Sequence, residues 1–551
     1  MDRKNVVVIA TLDTKGEEAG YLKRVFSGRG CGVIVVDIGI LGNPLLEAEV
    51  SREEVAERGG VRLERLVKDA ETGADRSRAI AVMGEGCRRV LNELYSSRRV
   101  DGVVSLGGST GTSIAVEAMR DLPVGLPKLA VTTDLDRVDV GGRDIVLFQS
   151  PADILGLNAV MRKAFLNASA ALLGMMGVGK EKGKGGRIAV IGCLEADGKE
   201  MEYVKEVVER EGSSVTVFDV SGGVGEAMDS VGRLASLGML DGVISVGGPE
   251  SSTAGIAVMK ALPVCFPKVV ATTARSVCFV GTNDVMLLPI PESVRGDEEC
   301  LRRLLDNAAG AITGMMDVKD VEVKSDKPLI GVTALGVTTP AVKKVISLMR
   351  EKGYDVISFH ARTGVLSKLV SEGRVDGVID LTPTEVVQLF LYPGAEEFLG
   401  GKDRLGVAGR KGLPQVISPG GLDMLIFSGS VEQVPEEFRG RPIHVHGPQT
   451  VLIRTTREEV EASARKLVER ANRAKGPVAI VIPLRGFSAV DREGHRLYDP
   501  AADRGFIEAV RESASPKVEV VEVDAHINDE LFAVRVVEVF DRLFHYKQGG
   551  G

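Results

Sequence analysis

One stretch of this chain recurs 140 positions later without a gap. "VDGVVSLGGST" from Val100 matches "LDGVISVGGPE" from Leu240, and "DLPVGLPKLAVTTD" from Asp121 matches "ALPVCFPKVVATTA" from Ala261. "NASAALLGMM" from Asn167 then matches "NAAGAITGMM" from Asn307. Ahead of this series "NVVVIATLDTKGEE" pairs with "RIAVIGCLEADGKE", after which the first repeat carries an inserted excursion, "GILGNPLLEAEVSREEVAERGG". Chance supplies one such match but not a colinear series, so the chain must hold two units of one design.

Within a repeat, continuous Val/Ile/Leu runs alternate with helical patterns. Strands are expected at 5–10, 32–37, 101–106, 128–133 and 144–148, and helices near 16–28, 62–98, 111–120 and 156–174. That alternation indicates βαβ units around a parallel sheet covered on both faces. The last third repeats the idiom with "PLIGVTALG", "YDVISFHA" and "VDGVIDLTPTE". Two lysine-rich polar stretches, 177–187 and 317–328, read as linkers. The fold expected is therefore α/β, with three Rossmann-like parallel-sheet domains. A nucleotide-binding domain spans 1–180, its duplicate with a degenerate site 186–318, and a C-terminal domain with histidine-rich loops 326–548.

A net charge of −8 argues against non-specific nucleic-acid binding. No apolar run is long enough to span a membrane, and the start lacks a signal-peptide core. The six cysteines form no CxxC and read as reduced thiols of a cytoplasmic protein. All six precede residue 301, whereas all six histidines follow residue 359, so the two ends differ in chemistry.

In open parallel sheets ligands lie beyond the carboxyl ends of the strands. In the first repeat those loops are "TLDTKGEE" (11–18), "GGSTGT" (107–112) and "TTDLDR" (132–137). Gly107 and Gly108, followed by Ser109, Thr110, Gly111 and Thr112, put backbone amides and hydroxyls at a helix N-terminus, which favours anions. Thr11, Thr14 and Thr133 border the same edge. Lys15 can add a positive charge, and Asp13 or Asp134 can hold magnesium. The loop is neither a Walker A nor a GxGxxG motif. It is open to two readings: a phosphate cradle, or a glycine turn with Ser/Thr capping. The second repeat keeps the glycine pair (Gly247, Gly248) but replaces "STGT" with "PESS", displaces the lysine and turns Asp134 into Ala274. The glycines are then structural in both repeats, and the extra chemistry belongs to the first.

The last third places reactive side chains after its expected strands: His360, Asp423, His446, Arg485, Asp491 and His526. Loops on one rim of a parallel sheet can bring such groups to a single substrate pocket. The spacing matches no HExxH metal motif, and Ser418 does not sit in a GxSxG elbow.

These motifs resemble an uncharacterised family of bacterial, archaeal and plant proteins that includes the tomato protein conferring resistance to tomato mosaic virus. The resemblance rests on "TLDTKGEE", "GGSTGT", "DLTPTE", "PQVISPGGLDM", "HGP", "IPLRGFSAVDREGHRLYDPAAD" and "HINDELFA". It covers the first and third segments and implies ATP with magnesium and a homodimer. The chain departs from it in the extra repeat, in Gly447 where the family has asparagine, and in "SFHARTGV".

Three functional readings follow. One is an ATP- and Mg2+-binding enzyme, of phosphoryl-transfer or ligase type, acting on a small anionic metabolite at a cleft between the N- and C-terminal domains. His360, His446, His526, Asp423 and Arg485 would be its catalytic groups. Another is a nucleotide-responsive binding protein without turnover. A third reading confines a metal- or acid/base-dependent lyase or hydrolase to the C-terminal domain.

Overall fold

The computed structural model describes residues 3–71, 76–133, 135, 138–178, 185–274, 284–294, 296–318, 325–361, 364–394, 405–447 and 450–549. The chain divides into two compact units, 1–324 and 325–551.

Both repeats build one sheet in the first unit. The first half supplies β1 (Asn5–Ala10), β2 (Gly32–Asp37), β3 (Gly102–Gly107), β4 (Lys128–Thr132) and β5 (Val146–Gln149). The second half supplies β6 (Arg187–Gly192), β7 (Ser214–Asp219), β8 (Gly242–Gly247), β9 (Lys268–Thr272) and β10 (Met286–Pro289). The order is β2-β1-β3-β4-β5-β10-β9-β8-β6-β7, which mirrors itself about the antiparallel β5–β10 pair. Val6 to Ala10 and Val103 and Val104 are fully buried, as expected of inner parallel strands covered on both faces.

The two halves are also locked by helices Ala159–Met175 and Glu298–Met316, which cross in close contact. A Cβ on Gly174 would run into the Gly310 carbonyl, and one on Gly314 into that of Ala170, so backbone meets backbone there. Asn167 Nδ2 donates to Cys265 O at 2.9 Å, and its counterpart Asn307 Nδ2 to Gly125 O at 3.1 Å. Those receiving turns have left-handed backbone, φ +85° at Gly125 and +66° at Cys265. Each is tied to a buried aspartate: Asp144 accepts from Gly125 N at 2.8 Å and Asp284 from Cys265 N at 2.5 Å. The same aspartates pair with buried lysines, Lys128–Asp144 at 2.9 Å and Lys268–Asp284 at 2.7 Å. Residues 140 positions apart thus perform the same task on both sides of the junction.

The second unit carries β11 (Leu329–Ala334), β12 (Asp355–His360), β13 (Gly377–Asp380), β14 (Gln415–Ile417), β15 (Met424–Ser428), β16 (Ile443–Gly447), β17 (Thr450–Arg454), β18 (Val478–Pro483) and β19 (Val518–Val523). Six of these form a parallel sheet in the order β12-β11-β13-β14-β18-β19. The other three make an antiparallel sheet, β15-β17-β16, which the strand-and-helix alternation did not anticipate.

Among the described residues, no helix is long and apolar enough to cross a membrane.

Candidate functional site

Each half-sheet of the first unit reverses strand order beside its first strand, at β1/β3 and at β6/β8, and the second unit does so at β11/β13. Such switch points open a crevice beyond the strand ends. The loops singled out in the sequence lie at these places.

At β1/β3, the "TLDTKGEE" segment begins helix Leu12–Gly28 and "GGSTGT" begins helix Ser109–Met119. The two approach closely, with a Cβ at Gly111 falling 3.6 Å from Thr11 Cγ2. The N-cap of the second helix is Gly108, in extended backbone and with no side chain to offer its amides. Thr112 is buried and returns its hydroxyl to Gly107 O at 3.3 Å. Thr11 and Thr14 share a hydroxyl contact of 3.1 Å. Asp13 lies under the turn 39–42, and its Oδ1 is buried without a hydrogen-bond partner. Asp37, at the end of β2, accepts from Leu12 N at 3.1 Å and Gly39 N at 2.8 Å. Burial pushes its carboxyl above the usual range, and the Asp13 charge adds to that shift. Thr133 follows β4, whereas Asp134 lies outside the described residues.

Lys15 departs from the expected role. It sits at a kink in its helix, is 9% exposed, and donates its ammonium to the Ile154 carbonyl. Glu18, one turn on, is buried and accepts from Gly156 N at 2.6 Å. Its carboxyl is pushed up by burial. Lysine and glutamate together tether the 154–156 segment.

At β6/β8 the elements correspond, though Gly247 takes φ +135° where Gly107 has no positive φ, and the chemistry is inverted. Helix Leu194–Arg210 places Asp197 where the first half has Lys15: Asp197 N bonds Cys193 O at 2.8 Å as Lys15 N bonds Thr11 O at 2.8 Å. Its carboxylate accepts from Gly248 N at 3.1 Å through each oxygen and from Ser251 Oγ at 2.5 Å. The N-terminus of helix Pro249–Lys260 therefore already holds an anion, supplied by the chain itself. Sequence comparison registered the change to "PESS" but missed Asp197, because its partners are some fifty residues away.

At β11/β13 the "DLTPTE" and "SPGGLDM" segments interlock. Thr333 Oγ1 donates to Asp380 Oδ1 at 2.6 Å, and the Thr338 and Thr382 hydroxyls meet at 2.9 Å. Behind them lies a buried ionic cluster. Ser488 Oγ donates to Asp423 Oδ2 at 2.6 Å, and Phe487 N to Asp491 Oδ2 at 2.8 Å. Arg454 joins Asp503 Oδ1 at 2.6 Å and the Asp423 carbonyl at 3.0 Å, with Asp491 Oδ1 at 4.0 Å. The remaining oxygens of Asp423 and Asp491 are buried without hydrogen-bond partners. Burial, then the Asp491 charge, pushes the Asp423 carboxyl up to about 7, and burial likewise raises Asp503. Arg454, Ser488 and Asp503 were not anticipated. An arginine at a strand end and a serine in a turn carry no local signal of such a cluster.

The six expected groups do not converge. Asp423 and Asp491 meet in this cluster, and His526 joins it through Ser488. His526 Nδ1 accepts from Asn528 N at 3.1 Å, so its Nε2 carries the proton donated to Ser488 O at 2.9 Å. Both nitrogens are thus engaged by backbone groups. Arg485 lies at the surface in a two-pronged pair with Asp524, at 2.7 and 2.8 Å. His446 belongs to β16, in the antiparallel sheet, with its ring 6.2 Å from that of His444. His360 ends β12, four strand positions from β18, or about 19 Å at the usual spacing. Its Nδ1 lies 2.7 Å from the Ala361 carbonyl. Among the described residues no group of three or more His, Cys, Asp or Glu is arranged to hold a metal ion.

Comparison with known proteins adds the following. The N-terminal domain of the uncharacterised protein family UPF0261 matches residues 4–181 and 224–321, and its C-terminal domain matches 327–544. A UPF0261 protein of Clostridium tetani is 29% identical over 548 residues, covering 97% of this chain and 98% of that protein. One from Rhizobium meliloti is 33% identical over 399 residues, 64% of this chain and 98% of that protein. The ToMV resistance protein Tm-1(GCR237) of Solanum lycopersicum is 33% identical over 320 residues, 55% of this chain and 41% of that protein. The family thus includes members of this length and shorter ones.

Proposed function

The chain belongs to the uncharacterised protein family UPF0261, and on that footing we propose that it binds ATP with magnesium at the β1/β3 switch point and acts on a small anionic metabolite through its second unit. One observation carries the nucleotide reading: both switch points start a helix after a glycine pair, and in the second a carboxylate of the chain itself, Asp197, binds that start, where the first half has Lys15 at the matching position. A site that the chain closes with an anion in one half is of the right kind to take one in the other. The amides of 109–111, with the Thr11 hydroxyl, would hold phosphate oxygens, the Thr112 amide being already bonded to Gly108 O at 3.0 Å. Asp13, with a buried oxygen lacking a partner, is of the class of ligand magnesium takes, and the ion would neutralise phosphate charge. Lys15 is bonded to Ile154, so the reading rests on the amides rather than on its charge.

For the second unit, the Asp423 carboxyl, poised near neutrality beside Ser488, is the strongest acid/base candidate. The engagement of both His526 nitrogens and the surface pairing of Arg485 favour the alternative, a nucleotide-responsive protein without turnover. The name of the tomato relative, a resistance protein, fits that alternative equally. A homodimer would need a surface other than the β5 edge and helix Ala159–Met175, since the second half of the chain covers both. Calorimetric titration of the full chain with Mg-ATP tests binding, and phosphate release from ATP with candidate small acids separates enzyme from binding protein.

A further inference from the structure

Replacing Lys15 by Asp197 does more than close a helix terminus. In the first half the Lys15 ammonium reaches Ile154 O and lies beside Glu18. The strands and helices that carry these residues have counterparts in the second half, where Asp197 stands for Lys15, Glu200 for Glu18 and Val294 for Ile154. The Asp197 side chain turns to Gly248 and Ser251, and a cavity of about 140 Å³ lies beside it. Asp197, Glu200 and Thr273 line its polar side, and Ile290, Val294 and Leu301 its apolar side. Among the described residues, no lysine, arginine or histidine lines it.

We propose that this cavity is a binding site for a small primary ammonium ligand with an apolar body, which would occupy in the second half the place that the Lys15 side chain fills in the first. Three features point to that class. The two carboxylates select a cation and reject the phosphate proposed for the first half. The apolar wall suits an alkyl chain rather than a hydrated metal ion. The volume is adequate, since an engineered cavity of about 150 Å³ accepts benzene. The internal lysine gives the geometry of the occupant: a four-carbon stem ending in an ammonium group beside a glutamate. The site is independent of nucleotide binding at β1/β3.

The probe is n-butylammonium, the side chain of lysine as a free molecule, followed by ligand-observed NMR on the full-length protein. Saturable binding in the millimolar range is expected, at least about tenfold tighter than that of n-butanol, which has the same stem without the charge. Glu200→Gln, nearly isosteric at a partly exposed position, should weaken it about tenfold while leaving thermal unfolding unchanged. Leu301→Trp, which fills the apolar end, should abolish it. If Leu301→Trp fails to fold, Glu200→Gln decides alone. Equal affinity for n-butanol and n-butylammonium, or unchanged affinity in Glu200→Gln, would overturn the proposal.

Discussion

Asp197 accepts the Gly248 amide proton through both carboxylate oxygens, each 3.1 Å away, and so places a negative charge at the start of helix Pro249–Lys260. In the first half the same position is Lys15, bonded elsewhere. The two corresponding turns thus differ at this position: an anion bonded to the helix start in one half, a cation bonded to Ile154 in the other.

The Asp423 cluster predicts a pH dependence. Its carboxyl rises from an ordinary 3.8 to about 7 in the folded protein, so it holds a proton more tightly folded than unfolded. Its contribution to stability is complete below pH 3.8 and is lost as pH rises through about 7. Asp423→Asn, which keeps shape and neutrality, should remove that slope. Urea unfolding from pH 4.5 to 7.5 should show the native chain losing about 2–4 kcal/mol relative to the variant. Parallel stability curves would contradict the assignment.

The junction between the halves predicts a large single-site effect. Lys268 and Asp284 are both about 99% buried and 2.7 Å apart. Lys268→Met leaves the carboxylate without its counter-charge and should cost about 3–5 kcal/mol of stability. Adding Asp284→Leu should recover part of this, though not all, because Asp284 also accepts from Cys265 N. Chemical denaturation of the two variants is the check, and a loss below about 1 kcal/mol would show that the pair is not integral.

His526 offers a spectroscopic test. The Asn528 amide can only donate to Nδ1, which fixes the proton on Nε2, and burial holds the ring's pKa below 6.5. Nitrogen NMR of labelled histidine should show the Nε2–H tautomer and titration below that value. An Nδ1–H tautomer, or titration above it, would reopen a proton-transfer role.

Much of the fold was legible in the sequence. The strands expected at 5–10 and 32–37 are β1 and β2 to the residue, because unbroken Val/Ile runs, bounded by Asn5 and Thr11 in one and by Gly32 and Asp37 in the other, leave little freedom. Of the helix expected over 62–98, Leu63–Glu71 and Arg76–Ser96 are described as helix and 72–75 lie outside the described residues, whereas Arg52–Arg58 went unforeseen. The antiparallel sheet escaped notice because "IHVHG" is short and polar, and its partners Thr450–Arg454 and Met424–Ser428 are identified only by pairing. Site geometry was the least legible part. That Asp423 and Asp491 share a cluster with Arg454, whereas His360 and Arg485 lie apart, depends on strand order, which local pattern does not encode.

The most direct test of the central claim is Mg-ATP calorimetry on the native chain and on Ser109→Pro/Thr110→Glu, which writes the second half's residues into the first. The corresponding helix start carries Pro249 and Glu250 after an N-cap glycine of matching backbone, Gly248 for Gly108, so the variant should keep its fold. One ATP per native chain and no binding by the variant are expected, with thermal unfolding unchanged. Two ATP per chain, or the same affinity in the variant, would contradict it.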